Sequence, residues 1–163
     1  ISHDGNNAEG MLKQFEQHLH ASKGKIADAD YYAYLSGLYS YKLSFDKKHL
    51  LKYSSGIFDN IKHAAELQPN NPFVLSMQGN VEFYSPFGSK KKALEYYTKA
   101  ETNYRQLPNA HEVWNLRAVQ MTIVQCLAKM NRVDDAKQRC EQYLQEEPGC
   151  LIFQQLMSDL TTQ

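Results

Sequence analysis

The sequence has no excess of charge of either sign. Its 18 lysines and arginines are balanced by 18 aspartates and glutamates. Nucleic acids and anionic membranes attract basic surfaces, so this balance argues against both as general partners. The one basic run, Lys90-Lys91-Lys92, is most simply a solvated face at the start of a helix. The composition therefore predicts no nucleic-acid-binding function.

Cysteine is also scarce, with three residues in 163. An odd number without CxxC spacing indicates neither a closed disulfide framework nor a zinc site. Cys126 and Cys140 instead fall at inward-facing positions of predicted helices, where cysteine serves as a small core residue. No apolar run approaches the roughly 18–20 residues of a membrane span, so we predict no membrane insertion.

The motifs of the common enzyme chemistries are missing too. HExxH, GxxxxGK[ST] and GxGxxG are all absent. His18 and His20 would point about 200° apart on a helix, too far to share a metal. Acidic pairs such as Asp134-Asp135 lie at predicted helix starts, where the helix dipole favours them. We therefore predict that the protein is not an enzyme and uses neither a metal nor a cofactor.

What the sequence does have is helical periodicity interrupted by turn residues. Pro69 ends one segment, and Pro72 can occupy the first position of the next helix, where a missing N–H has no cost. That helix is predicted to run to Tyr84 and to be broken over residues 85–89. Apolar residues then recur at three- and four-residue steps, at Ala93, Leu94, Tyr97, Ala100 and Tyr104. The pattern predicts two antiparallel helices.

This helix pair, residues 70–108, resembles a tetratricopeptide repeat (TPR). The family has a small residue in the first helix where Gly79 stands. Its second helix carries a small, aromatic, small series that matches Ala93, Tyr97 and Ala100. Residues 28–69 and 109–148 resemble further repeats, of poorer match. In residues 28–69 the resemblance rests on Tyr32, Leu35, Ser36 and Tyr39, which match a large, large, small, aromatic series of the family's first helix. In residues 109–148 Ala136 matches a small position, whereas Cys140 and Tyr143 stand where the family has an aromatic and a small residue.

The resemblance implies a single all-α domain over residues 1–163, a short right-handed solenoid of about three TPR-like helix pairs. Residues 1–7 are predicted to be a frayed end, and residues 8–23 an N-terminal helix. Residues 149–161 are predicted to be a helix that caps the stack, because an uncapped repeat exposes its apolar face.

The proline-bounded central repeat and its YSPFGS turn look most like TPR proteins of Bacteroidota envelopes. This likeness implies the bacterial periplasm or envelope if a leader has been removed, and the cytoplasm otherwise. The sequence does not begin with methionine. Its compartment therefore stays open.

In the TPR family the first helix of each pair lines a concave face that binds peptides. Carried over to this sequence, the resemblance places on that face Tyr41, Phe73, Asn80, Phe83, Tyr84 and Gln125. Amides can bond a peptide backbone while aromatic rings pack its side chains. The alternative is that Phe83 and Tyr84 pack against the 85–89 turn and the next helix. Trp114 is expected to be buried between helix pairs rather than exposed in an interface.

These features favour a non-catalytic scaffold that binds a protein or peptide on its concave face. The alternative is a structural subunit that self-associates into a homo-oligomer through its groove or terminal helices, since repeat stacks have open ends. An enzyme with an unrecognised site is a third hypothesis, for which the sequence offers no set of catalytic residues.

Overall fold

The computed structural model describes residues 8–108 and 113–162, and over these ranges the chain is helical with no strand. The eight α-helices found there are α1 (Ala8–Ser22), α2 (Asp28–Phe45), α3 (Leu50–Leu67), α4 (Pro72–Tyr84), α5 (Lys90–Arg105), α6 (Val113–Lys129), α7 (Val133–Glu146) and α8 (Leu151–Thr161). A 3₁₀ turn, Lys47–His49, precedes α3. The predicted all-α class is confirmed. The predicted frayed end, residues 1–7, lies outside the described residues.

The helices form two compact units that divide between Met77 and Gln78, inside α4. In the first unit α2 packs against both α1 and α3. In the second unit α5 packs on α6, α6 on α7, and α7 on α8, and α8 also contacts α6. Helices adjacent in sequence are thus neighbours within each unit. A single solenoid running through both units stays a prediction.

In the first unit, α2 and α3 approach closely at small residues. Ser36 is fully buried, and its hydroxyl donates a hydrogen bond to the carbonyl oxygen of Ile57 at 2.9 Å. At Gly56 an added Cβ would lie 2.6 Å from the ring of Tyr39. A real Cβ does not come that close to a carbon atom, so this contact requires glycine at position 56.

The start of α4 is fixed by a capping residue next to Pro72. The side-chain oxygen of Asn71 accepts hydrogen bonds from the backbone N–H groups of Phe73 (2.9 Å) and Val74 (3.3 Å). Two of the unpaired donors of the first helical turn are satisfied in this way. The amide nitrogen of Asn71 also donates to Asp30 at the start of α2, at 2.8 Å. The predicted helix start at Pro72 is therefore confirmed.

In the second unit, α4 and α5 are packed around Tyr97. Ala93, Tyr97 and Ala100 are all buried, as their periodicity predicts. A Cβ built at Gly79 would lie 2.5 Å from Cε1 of Tyr97, so the ring occupies the space that a side chain would need. The hydroxyl of Tyr97 donates to the side-chain oxygen of Asn80 at 2.9 Å. The small residue at position 79 is therefore a packing requirement of this helix pair.

The predicted terminal helix, α8, packs onto α7 through one aromatic contact and one hydrogen bond. The rings of Tyr143 and Phe153 lie 5.1 Å apart between centroids, and both side chains are buried. The thiol of Cys140 donates to the carbonyl oxygen of Phe153 at 3.1 Å. Part of the buried face of α7 is therefore covered by α8, while α7 also packs on α6.

The three cysteines differ in burial, and we expect their reactivity to differ accordingly. Cys126 and Cys140 are buried, which raises the pKa of both thiols, whereas Cys150 is partly exposed. Thiolate is the reactive form, so a buried thiol of raised pKa reacts slowly. With a thiol-specific chromogenic reagent at pH 8, about one thiol per chain should react fast and the other two only on unfolding. Cys150→Ser should remove the fast phase; fast reaction of two or three thiols would contradict this.

Candidate functional site

Two of the six predicted binding residues, Tyr41 and Phe73, lie in the first unit. Tyr41 is exposed on α2. Phe73 is partly buried, and its ring lies 4.5 Å from the ring of Tyr34 between centroids. Tyr34 in turn lies edge-on to Phe15 of α1, at 6.2 Å. Phe73 thus belongs to a set of packed aromatic rings, while Tyr41 leaves its ring accessible.

The other four residues lie in the second unit, where Phe83 and Tyr84 have different surroundings. Phe83 is only 8% exposed, and its ring lies edge-on to Tyr97, 6.4 Å away between centroids. The ammonium group of Lys90 lies 5.0 Å from the Phe83 ring and donates to the Phe83 carbonyl oxygen. Phe83 therefore packs against α5, as the alternative interpretation expects. Tyr84 is 68% exposed and rests edge-on against Phe83 at 4.9 Å.

Asn80 and Gln125 are both partly buried. The side-chain oxygen of Asn80 accepts the hydrogen bond from Tyr97, whose ring also contacts Phe83. Asn80 and Phe83 are therefore joined through Tyr97 and stabilise the helix pair. Gln125 lies on α6, three residues after the buried Thr122.

A feature that the sequence interpretation missed is the fully exposed ring of Phe87 in the turn between α4 and α5. The turn is held by several hydrogen bonds. The Phe87 N–H donates to the hydroxyl of Ser85 at 3.3 Å, and the Ser89 N–H donates to the carboxylate of Glu82 at 2.8 Å. A Cβ at Gly88 would lie 2.1 Å from the Glu82 carbonyl oxygen, so the turn closes tightly on the end of α4. We call Tyr84 and Phe87 the aromatic pair.

The expected burial of Trp114 is wrong. Its side chain is 72% exposed. Trp114 precedes the buried Ile123 by nine positions, and at about 100° per residue this places the two on opposite sides of α6. The guanidinium of Arg117 lies 5.5 Å from the Trp114 ring and donates to the carboxylate of Glu147 at 2.7 Å. That hydrogen bond raises the pKa of Arg117 and secures the end of α7 against α6.

The second unit also has a groove of about 620 Å³, lined by residues of α5, α6 and α7. Apolar side chains from two helices line it, at Leu94, Ile123 and Leu127. From α7 come three glutamines, at positions 138, 142 and 145, together with charged residues. None of the six predicted binding residues lines this groove. Finding it requires knowing how three helices pack, which no single segment of the sequence specifies.

A buried carboxylate near the groove joins the same three helices. Glu101 of α5 is 4% exposed and lies 3.0 Å from a nitrogen of Arg105, 3.7 Å from Arg139 of α7 and 3.4 Å from the amide of Gln120 of α6. Arg105 also forms an ion pair, at 2.9 Å, with Glu146, the last residue of α7. A buried charge is tolerated when it is paired and hydrogen-bonded. Glu101 and Glu146 therefore form ion pairs that join helices, and they are not arranged as an acid–base pair.

In the part of the chain that the structure describes, no three His, Cys, Asp or Glu side chains are placed to hold a metal ion. The described helices also include none with the length and apolar character needed to cross a bilayer. No protein-family model, curated protein or solved structure matches this chain. Its function must be inferred from its own residues.

Proposed function

We propose that this protein is a non-catalytic scaffold of TPR-like helix pairs that binds a partner protein through an exposed aromatic surface. The observation that carries the proposal is the aromatic pair, Tyr84 and Phe87, at the end of α4. Fully burying a side chain such as phenylalanine contributes roughly 1.5–3 kcal/mol, and aromatic residues are enriched among the residues that dominate binding energy. A fully exposed phenylalanine offers this contribution to a partner.

The local structure keeps the ordering cost of such binding low. The side-chain oxygens of Ser85 and Glu82 hold the turn by accepting hydrogen bonds from the backbone N–H groups of Phe87 and Ser89. The Tyr84 ring packs edge-on against the ring of Phe83. A side chain presented on a fixed backbone loses less conformational entropy on binding than one on a mobile loop. The Ser85–Ser89 turn therefore resembles a preformed contact surface more than a simple connection.

The helix packing supports the TPR-like part of the proposal. Gly79 on α4 accommodates Tyr97 of α5, so a small residue on the first helix faces an aromatic residue on the second. In the last pair, α8 contacts both α6 and α7. Contact of a following helix with both members of the preceding pair is expected when pairs stack in sequence.

Removing both rings should abolish most of the affinity for the partner. A Tyr84→Ala, Phe87→Ala variant should retain less than about one hundredth of the native affinity, because each buried aromatic ring contributes roughly 1.5–3 kcal/mol. The partner would be captured from a lysate of the source cells, identified by mass spectrometry, purified, and titrated against native and variant protein by calorimetry.

A matched control is Phe58→Ala, which removes an exposed ring from α3 in the first unit. This variant should bind like the native protein. Equal binding by the Tyr84→Ala, Phe87→Ala variant, with circular dichroism showing an intact fold, would reject the aromatic pair as the binding surface. Light scattering over a range of concentrations tests the alternative, a self-associating subunit, which requires a mass that rises with concentration.

A further inference from the structure

We infer that the groove over α5, α6 and α7 is a second binding site, which takes an extended, uncharged peptide segment of about six residues. The groove measures about 620 Å³, within the size range of ligand pockets. Its lining includes neither Tyr84 nor Phe87. The site is therefore independent of the surface proposed above.

The glutamines of α7 determine which kind of segment fits. Gln138, Gln142 and Gln145 follow a spacing of four and three residues, which places them on one face of the helix. All three are exposed and line the groove. A glutamine amide both donates and accepts, so a row of them matches the alternating N–H and C=O groups of an extended backbone. A helical ligand satisfies its own backbone and would gain little from such a row.

The charged residues of the groove are already balanced. Arg132 donates to Asp135 at 2.6 Å, and Arg139 lies 3.7 Å from the buried Glu101. The lining contains two arginines and two acidic residues, so its formal charge is zero. An anionic ligand would have to displace one of these two arginine pairs, and a lining of zero formal charge offers a cationic ligand no net attraction. The groove therefore favours an uncharged segment.

The length of the groove sets the length of the bound segment, and the apolar part of its lining sets which ligand side chain is preferred. From Arg132 to Gln145 the helix rises roughly 20 Å, at about 1.5 Å per residue. An extended chain covers that distance with roughly six residues, at about 3.3 Å each. Leu94, Ile123 and Leu127 contribute the apolar part of the lining. An apolar ligand side chain that meets them would be removed from water.

The test uses the whole protein and a phage-displayed library of random heptapeptides. Selection should enrich uncharged sequences with an apolar residue near the centre, and a fluorescein-labelled copy of the enriched peptide should bind in a fluorescence anisotropy titration. Gln138→Ala with Gln142→Ala should weaken that binding about tenfold, because two hydrogen-bonding amides are lost. The matched control is Gln14→Ala with Gln17→Ala, the same change at exposed positions of α1, which should leave binding unchanged.

Several outcomes would overturn this inference. The selection could fail to enrich any peptide over beads without protein, or could enrich charged or helix-forming peptides. The Gln138→Ala, Gln142→Ala variant could also bind the enriched peptide as tightly as the native protein does. A concentration-dependent dimer that this variant disrupts would show instead that a second copy of the chain fills the groove. The Tyr84→Ala, Phe87→Ala variant should still bind the peptide with native affinity, so failure of the aromatic surface and failure of the groove are distinguishable.

Discussion

Gly79→Val is expected to lower the free energy of unfolding by about 3 kcal/mol. Even the first added carbon would lie 2.5 Å from Cε1 and 2.6 Å from Cδ1 of Tyr97. The Tyr97 ring has little room to move, because it is buried, contacts Phe83 and is hydrogen-bonded to Asn80. Accommodating valine therefore requires α4 and α5 to separate, which disrupts the packing around Tyr97.

Urea denaturation followed by circular dichroism measures this effect. Gly149→Ala is the matched control, because a Cβ at position 149 meets no atom within 4 Å and the backbone there does not have the positive φ that favours glycine. That substitution should change stability by no more than about 1 kcal/mol, and in the stabilising direction. A Gly79→Val protein as stable as the native one would show that α4 and α5 are not packed around Tyr97.

Phe153→Ala is expected to lower the free energy of unfolding by about 3–5 kcal/mol and to release α8 from α7. Phe153 is 1% exposed and packs its ring against Tyr143, so truncation leaves a cavity between α7 and α8. Leu151→Ala, two residues earlier, removes a side chain that is 76% exposed. This neighbouring change should alter stability by no more than about 0.5 kcal/mol.

Hydrogen exchange measured peptide by peptide distinguishes a local loss of amide protection in α8 from a loss of stability of the whole protein. In the Phe153→Ala protein, amides of α8 should exchange much faster than in the native protein, with a smaller change in α5. The Leu151→Ala protein should keep native protection in both helices. Equal protection of α8 in the native and Phe153→Ala proteins would contradict the role of this ring in docking the last helix.

The helix starts and ends could be predicted because they depend on residues close in sequence. Asn71 and Pro72 start α4 through backbone geometry and capping. Gly24, which follows α1, has the positive φ of 75° that its place at a helix end predicts. The inward face of α5 was also predictable, since Ala93 and Tyr97 follow helical periodicity and are both buried.

Exposure was harder to predict, because it depends on which face of a helix meets a neighbour. Trp114 is apolar enough for a core, yet it lies opposite Ile123 on α6 and faces solvent. Phe83 and Tyr84 are adjacent in sequence, and only Phe83 is covered. Phe87 stands between proline and glycine in a segment whose composition indicates only a turn. The sequence signal for this surface was the presence of a phenylalanine in a turn, because a solvent-exposed turn seldom requires a large apolar side chain.

The groove could not be predicted from any one segment. Leu94 of α5 and Ile123 of α6 follow ordinary core periodicity, while the glutamines of α7 have the appearance of a solvated helix face. Only the packing of three helices brings these residues together. The burial of the Glu101 carboxylate was equally unpredictable, because one of its partners, Arg139, is distant in sequence.

Site-specific photocrosslinking at position 87 tests the proposed protein-binding function most directly. A benzophenone amino acid would replace Phe87 in one protein and Phe58 in another, and each would be irradiated in lysate of the source cells. The proposal predicts one dominant crosslinked partner at position 87 that is absent at position 58 and is lost when excess native protein competes. The same products at both positions, or no product at position 87, would contradict the aromatic pair as the binding surface.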